Sequence, residues 1–309
     1  MAVEKKQRDR WLVAVWPGMG HVALAGGYYL MSKLGMSALA EFSARELFDV
    51  EQVEVKNGLI QAGRLPRSRL FLWNAPGQPH DIIVFIGEAQ PPLGKYTFCR
   101  RLIEYAQKLG VTRVFTFAAM ATQMHPEHDA RVFAAATDEQ TLDELRPLEL
   151  TLLNDGQISG LNGVLLGAAA EAGLHGACLL GEMPHIFAQV PFPKASLAVL
   201  RVFAALAGIE IDLTELEEQA AVIERQLGQL LSQIEEQMGR EYGAEEEPFT
   251  PEVTEEPRLA EKDARHIERL FEQAAHDRAK AYELKRELDR LEVFADYEDR
   301  FLDLFRKAE

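Results

Sequence analysis

The chain has 309 residues, 47% hydrophobic and 27% charged, a composition that argues against a disordered or fibrous protein and suits one large or two modest cores. Its formal net charge of -16 argues against nucleic acid as a partner, because binders of that polyanion carry a basic face. The two cysteines, Cys99 and Cys178, lie in apolar surroundings, which speaks against a disulfide scaffold or a structural zinc site. Met1 to Arg10 is strongly charged with no apolar segment and small-residue cleavage site behind it, so no signal peptide is expected. The longest apolar runs, Val22 to Met31 and Val164 to Ala170, fall short of the roughly 20 residues that cross a bilayer. The expectation is a cytoplasmic protein without a membrane partner.

The stretch Trp11 to Leu34 is the one around which the chain is organised. Trp11 to Trp16 is a near-continuous apolar run, as in a strand covered on both faces. Pro17-Gly18-Met19-Gly20 breaks it and opens a helix whose first N–H groups offer a place for an anion. Ser37 to Phe42 reads as a second strand, and Gln52 to Ala62 as a hairpin turned by Asn57-Gly58. Two more strands come next, Arg69 to Trp73 and Asp81 to Ile86, the latter ending in the loop Gly87 to Pro92. Tyr96 to Leu109 reads as a helix closed by Gly110, and Val111 to Phe117 as a buried strand.

Beyond a polar loop at His125 to Asp129, a strand is expected over Arg131 to Ala136 and a short helix over Asp138 to Leu145. A second Gly/Asn/Ser turn, within Thr151 to Gly163, opens a helix over Leu161 to Ala172. Ala177 to Gly181 is a strand running into Glu182, and Pro193 to Leu206 another helix. Such alternation predicts an α/β fold, a three-layer αβα sandwich, over about the first 210 residues.

From Asp212 the pattern changes. Asp212 and Glu215 have capping-box spacing, and Leu213, Leu216, Ala220, Ile223, Leu227, Leu230 and Ile234 recur by threes and fours, predicting a long helix with an apolar seam. The predicted organisation is a core domain over 1–241 ending in that helix, an acidic Pro-containing linker over 242–257, and a helical extension over 258–309. The extension reads as one helical stretch from Arg258 to about Leu291, then Val293 to Lys307 with Phe294, Tyr297, Phe301, Leu304 and Phe305 along one side.

Several constellations invite chemistry. Gly18-Met19-Gly20-His21-Val22-Ala23 fits G-x-G-x-x-A, and Glu41, at the end of the next strand, is placed like the acid that holds a ribose hydroxyl. The same glycines serve a plain structural turn. Glu88 and Glu182 are the candidate catalytic carboxylates, with Gly18, Gly20, His21, Asn154, Asp155, Ser159 and Asn162 as candidate ligand-binding residues around them. Against this, Asn154, Asp155 and Ser159 suit turn and helix caps. No nucleophile motif is present, and His125, Glu127, His128 and Asp129 match no strong metal template, so neither a metal nor a cofactor is expected.

Taken together, W-P-G-M-G-H-V-A at Trp16 to Ala23, F-I-G-E-A-Q at Phe85 to Gln90, the run Asp155 to Leu166, Gly176 to Glu182 and Gly208 to Asp212 resemble the proteasome-assembly-chaperone family in its bacterial and archaeal branch. The resemblance covers about residues 10 to 240 and implies an αβα fold similar to nucleoside phosphorylases and peptidyl-type hydrolases, assembled as a homo-oligomer, with a trimer the first expectation. Archaeal members are associated with proteasome assembly and dock through a C-terminal hydrophobic-Tyr-any tail. This chain ends Phe305-Arg306-Lys307-Ala308-Glu309 without that tail, and the helices after Tyr242 look like an addition to the family core. The expected function is a non-enzymatic assembly-chaperone-like or scaffold protein, its partners a second copy of itself and a protein client such as a proteasome-like assembly. The alternative is a phosphorylase-like, hydrolase-like or ATP-dependent ligase enzyme acting on a nucleotide- or nucleoside-like ligand in a crevice by Gly18 and Glu88. An enzyme requires Glu88 and Glu182 to converge there; a scaffold predicts that Leu227→Asp breaks the oligomer while Glu88→Gln does nothing.

Overall fold

A computed structural model describes residues 9–50, 53, 55–242, 261–276, 280–291, 293, 297, 300, 301 and 304. They fall into two compact units divided between Tyr242 and Gly243. Residues 243–257 of the expected linker, and the tail from Phe305 to Glu309, lie outside the described residues.

The first unit is built on β1 (Asp9–Val15), whose side chains from Leu12 to Val15 have no exposure at all. A strand buried on both faces needs both edges paired, since no water reaches its N–H and C=O groups. It pairs in parallel with β6 (His80–Gly87) and β7 (Val111–Thr122). Outside these lie β10 (His175–Pro184), parallel to β7, and β8 (Val132–Ala136), antiparallel to β10, with β9 (Thr151–Leu152) at that edge. At the other edge β5 (Ser68–Trp73) runs antiparallel to β6, and β2 (Ser37–Phe42) antiparallel to β5. The eight-stranded order is β2-β5-β6-β1-β7-β10-β8-β9. The Asn57-Gly58 turn joins the short strands β3 (Val55–Lys56) and β4 (Leu59–Ile60) as a separate hairpin.

Alternation along β1 divides the core. Trp11, Val13 and Val15 face α1 (Val22–Lys33), α5 (Pro193–Ala207) and the first half of α6 (Thr214–Tyr242). Leu12, Ala14 and Trp16 face α2 (Lys95–Lys108) and α4 (Gly160–Glu171). With α3 (Glu139–Leu145) beside β8, this is the expected αβα sandwich. β10 lies so near α5 that a Cβ on Gly181 would sit 2.5 Å from the Ala195 carbonyl oxygen.

Two local expectations change. Asp212 accepts a hydrogen bond from the Thr214 N–H at 3.1 Å, but Glu215 pairs with Lys33 at 3.1 Å instead of completing a capping box, because the ammonium of α1 is the stronger partner. The seam of α6 also splits. Leu216, Ala220 and Leu227 are buried in the unit's own core, whereas Leu230 is 44% and Ile234 37% exposed.

In the second unit, the single stretch expected from Arg258 is two helices, α7 (Glu261–His276) and α8 (Ala281–Arg290). Ile267, Leu270, Phe271 and Ala274 of α7 pack with Ala281, Leu284 and Leu288 of α8, and Tyr297, Phe301 and Leu304 lie against them. Phe294 and Phe305 fall outside the described residues.

Because the Ala195 carbonyl is backbone and cannot swing away, Gly181→Ala is expected to destabilise the protein by about 1–3 kcal/mol. A lowered urea midpoint with an unchanged slope would report it.

Candidate functional site

Open α/β sheets bind ligands beyond the carboxyl ends of their parallel strands. Here those ends carry the Trp16–His21 turn after β1, the Gly87–Pro92 loop after β6, and the end of β10. Trp16 is buried against Phe85 and Phe98, and a Cβ on Gly87 would collide with its indole ring.

Two N–H groups of the turn before the helix are used within the chain. The Gly20 N–H donates to the Ala188 carbonyl at 2.8 Å, the Gly20 carbonyl accepts from Phe192 N–H at 2.9 Å, and His21 N–H donates to the Gly18 carbonyl at 3.1 Å. Gly20 has φ 58, and a side chain there would strike Met183 of β10. His21 also has a positive φ of 53 and points into solvent. The turn thus fastens β1 to the segment after β10. Glu41 stands far from it in the sheet: β2 is an antiparallel edge strand, with β5 and β6 between it and β1. The dinucleotide expectation needs the second strand beside the first and parallel to it, and this topology lacks that pairing.

Gln90 holds the crevice together. Its Nε2 donates to the Pro17 carbonyl at 3.2 Å and its Oε1 accepts the Leu161 N–H at 3.2 Å. Ser159 occupies the N-cap position of α4 without a side-chain cap bond, so the cap comes from Gln90, 71 residues earlier. Asn154 and Asp155 are exposed in the preceding bend. Asn162 sits in the first turn of α4, where its carbonyl accepts from Thr116 Oγ1 at 3.2 Å and its buried Oδ1 has no hydrogen-bond partner among the described residues.

The two carboxylates do not converge. Glu88 lines a cavity of about 630 Å³ with Gln90, Arg64, Asp49 and Pro92, while Glu182 belongs to β10, separated from β6 by β1 and β7. Glu88 accepts from Arg64 Nη1 at 2.7 Å, Arg69 Nη2 at 2.7 Å and the Arg67 N–H at 3.1 Å. Burial pushes its carboxyl up, but those hydrogen bonds and the charges of Arg64 and Arg69 outweigh burial and hold it below the ordinary carboxylate value. Glu182 is 1% exposed and takes a two-pronged pair from Arg131, with Nε to Oε2 at 2.8 Å and Nη2 to Oε1 at 2.6 Å. Thr122 Oγ1 and the Arg131 N–H complete its shell. The Arg131 hydrogen bonds hold its carboxyl low against the upward push of burial. Cys99 and Cys178 are buried, and burial pushes both thiols up to about 12, which leaves little thiolate for nucleophilic chemistry.

The His125–Asp129 loop is tied down through its backbone. Lys194 donates to the Pro126 and His128 carbonyls at 3.3 and 2.7 Å and pairs with Glu224 of α6 at 3.0 Å. Among the described residues no group of three or more His, Cys, Asp and Glu is placed to hold a metal.

Sequence patterns pointed to Glu88 and Glu182 but not to Gln90, Arg131 or Lys194. The last three act across long sequence separations, and the one available signal was the position of Gln90 in the loop after β6.

Two outcomes test this geometry. Gln90→Ala removes both bonds and is expected to cost about 1–2 kcal/mol of stability, measured by urea unfolding. Both carboxyls titrate lower folded than unfolded, so their stabilisation is complete above the unfolded value near 4.3 and is lost as pH falls below it. The urea midpoint should therefore drop on acidification below about pH 4.3, and Glu182→Gln should flatten that drop.

With this geometry in hand, known proteins offer a comparison. The model of the PAC2 family matches residues 12–231. The uncharacterised protein MJ1210 of Methanocaldococcus jannaschii is 28% identical over 231 residues, 74% of this chain and 84% of that protein. The crystal structure of Pyrococcus furiosus PbaB, described as an archaeal proteasome activator, superposes with a TM-score of 0.61 at 25% identity, covering 74% of this chain and 94% of PbaB. That of P. furiosus PbaA, described as an archaeal homolog of proteasome-assembly chaperone, gives a TM-score of 0.56 at 25% identity over 75% and 96% of the two chains. The strand-turn-helix that Gln90 and Gly20 hold in place lies within the matched span, and the chain belongs to the PAC2 family, with a proteasome-assembly-chaperone homolog among its structural relatives.

Proposed function

We propose that this protein is a non-enzymatic, assembly-chaperone-like scaffold that works as a homo-oligomer through protein–protein contacts, in the cytoplasm, with a proteasome-like assembly as its class of client. The observation that carries this is the state of the two candidate carboxylates. A general base must take up a proton from substrate. Glu88 and Glu182 instead spend their oxygens on arginine and backbone donors, at separate places in the sheet. The enzyme alternative, with a ligand in the crevice by Gly18 and Glu88, loses its base by the same observation.

Support for a contact surface comes from α6. Val222, Leu230 and Ile234 are 45%, 44% and 37% exposed, and Leu230 and Ile234 stand one turn apart on one helix face. Buried against a second copy, such side chains contribute about 1.5–3 kcal/mol each when fully covered. The descriptions of PbaA and PbaB, one a homolog of a proteasome-assembly chaperone and the other a proteasome activator, supply the class of client. A trimer is the proposed oligomer.

Leu227 packs inside the subunit core, so Leu227→Asp reads folding as well as assembly. The sharper variant is Leu230→Asp with Ile234→Asp. Light scattering after size exclusion is expected to give a multiple of the chain mass for the wild type and for Glu88→Gln, and the single-chain mass for the double variant with its circular dichroism preserved. A wild type that stays at the single-chain mass at every concentration would remove the oligomer from the proposal, and an activity abolished by Glu88→Gln would replace the scaffold with an enzyme.

A further inference from the structure

We propose that the cavity beside β2 and β5 binds a phosphate-bearing small molecule, a site independent of the scaffold function above. It has a volume of about 470 Å³ and lies between the short 3-10 turn Arg45–Leu47 and the segment that leads into β5. Among the described residues its lining includes three arginines, Arg45, Arg64 and Arg67, and one acidic residue, Glu41. In a chain of net charge -16, this is a local inversion of sign.

Glu88 and β5 shape the wall. The Glu88 carboxylate accepts from both Arg64 and the Arg67 backbone N–H, and the Glu88 N–H donates to the Arg67 carbonyl at 2.9 Å, so the arginine-bearing segment is anchored to the end of β6. That leaves Arg64 partly neutralised, while the Arg45 and Arg67 side chains have no carboxylate partner among the described residues. Ser43 and Ser68, the latter only 4% exposed, belong to the same lining. The Ser43 carbonyl is itself held by Arg101 Nη2 at 3.2 Å, which fixes that side of the cavity.

The chemistry selects the ligand class. Guanidinium forks match phosphate oxygens two at a time, and hydroxyls complete a tetrahedral anion's shell. A phosphate monoester carries about -1.5 to -2 charge at neutral pH, which suits Arg45 and Arg67, the two arginines left without a carboxylate partner among the described residues. Phe48, also in the lining, offers an apolar surface to the organic part.

The test uses the full chain, with thermal melts and titration calorimetry at constant ionic strength set by chloride. The probes are inorganic phosphate, adenosine monophosphate and glutarate. Saturable stabilisation by phosphate or adenosine monophosphate is expected, with Arg45→Gln and Arg67→Gln each weakening the apparent Kd about tenfold, the loss of roughly one charge-assisted pair. Arg67→Lys should recover part of that loss. Arg100→Gln, whose side chain pairs with Glu104 on α2, should bind as the wild type does. Both probed arginines are exposed, so the unliganded melting temperatures of the variants should match the wild type and separate binding from folding. Tighter binding of adenosine monophosphate than of inorganic phosphate would support the site and identify an ester as its source, and equal affinity would support it with free phosphate. No saturable effect with either, the same affinity in both glutamine variants, or glutarate binding as tightly as phosphate would overturn the proposal.

Discussion

The complete burial of β1 is the constraint on which the rest of the first unit depends. A strand with no exposure from Leu12 to Val15 requires a partner along each edge and a helical layer over each face. β6 and β7 supply the edges, α1 with α5 and α2 with α4 the faces. Parallel neighbours need crossover connections, so the loops after β1, β6 and β10 gather at one end of the sheet. Those loops are closed on one another by short polar links: Gln90 to Pro17 and Leu161, and Gly20 to Ala188 and Phe192. Part of what the sequence presents as a ligand crevice is thus spent on joining strands, the Gly20 N–H and carbonyl and the Pro17 carbonyl among it.

Electrostatics repeats the theme. Carboxylates that look poised for chemistry are consumed by structure, each with cations brought from elsewhere in the chain: Arg64 and Arg69 on Glu88, Arg131 on Glu182. Glu182 is the deeper of the two, and its four donors explain how a charge survives in a strand 1% exposed, since an ionised group leaves water only when paired and hydrogen-bonded. Removing its partner would leave a charge stranded between β8 and β7, which makes the pair a requirement of the fold and ill suited to proton transfer.

Much of the fold was legible in the sequence because it was written locally. The apolar run at Trp11 to Trp16, the Asn57-Gly58 turn and the glycine closing α2 each carry their cause within a few residues. Asp138, expected as the first residue of α3, stands one residue before it as its cap, accepting the Thr141 N–H at 2.9 Å. The misread details depend on distant partners. β10 runs on through Glu182 to Pro184 because Arg131 neutralises a charge that reads as a strand end. Ser159 looks like the cap of α4, yet Gln90 provides it. Nothing around Glu41 reveals that β2 lies at the sheet edge and runs antiparallel, which is a property of strand order. The candidate site was legible in its residue types and illegible in its pairing, and the pairing decides the chemistry.

The α6 seam joins fold to function. Its first half completes the core through Leu216, Ala220 and Leu227, and further along Leu230 and Ile234 carry the same apolar pattern into solvent. One helix thus walls the core and exposes the apolar side chains that the proposed oligomer would cover. Hydrogen exchange across a dilution series tests that most directly. Peptides spanning Val222 to Ile234 should lose protection as the protein is diluted, while those covering the Gly18 turn and β10 keep theirs. Protection over Val222 to Ile234 that does not change with concentration would contradict an oligomer held by α6.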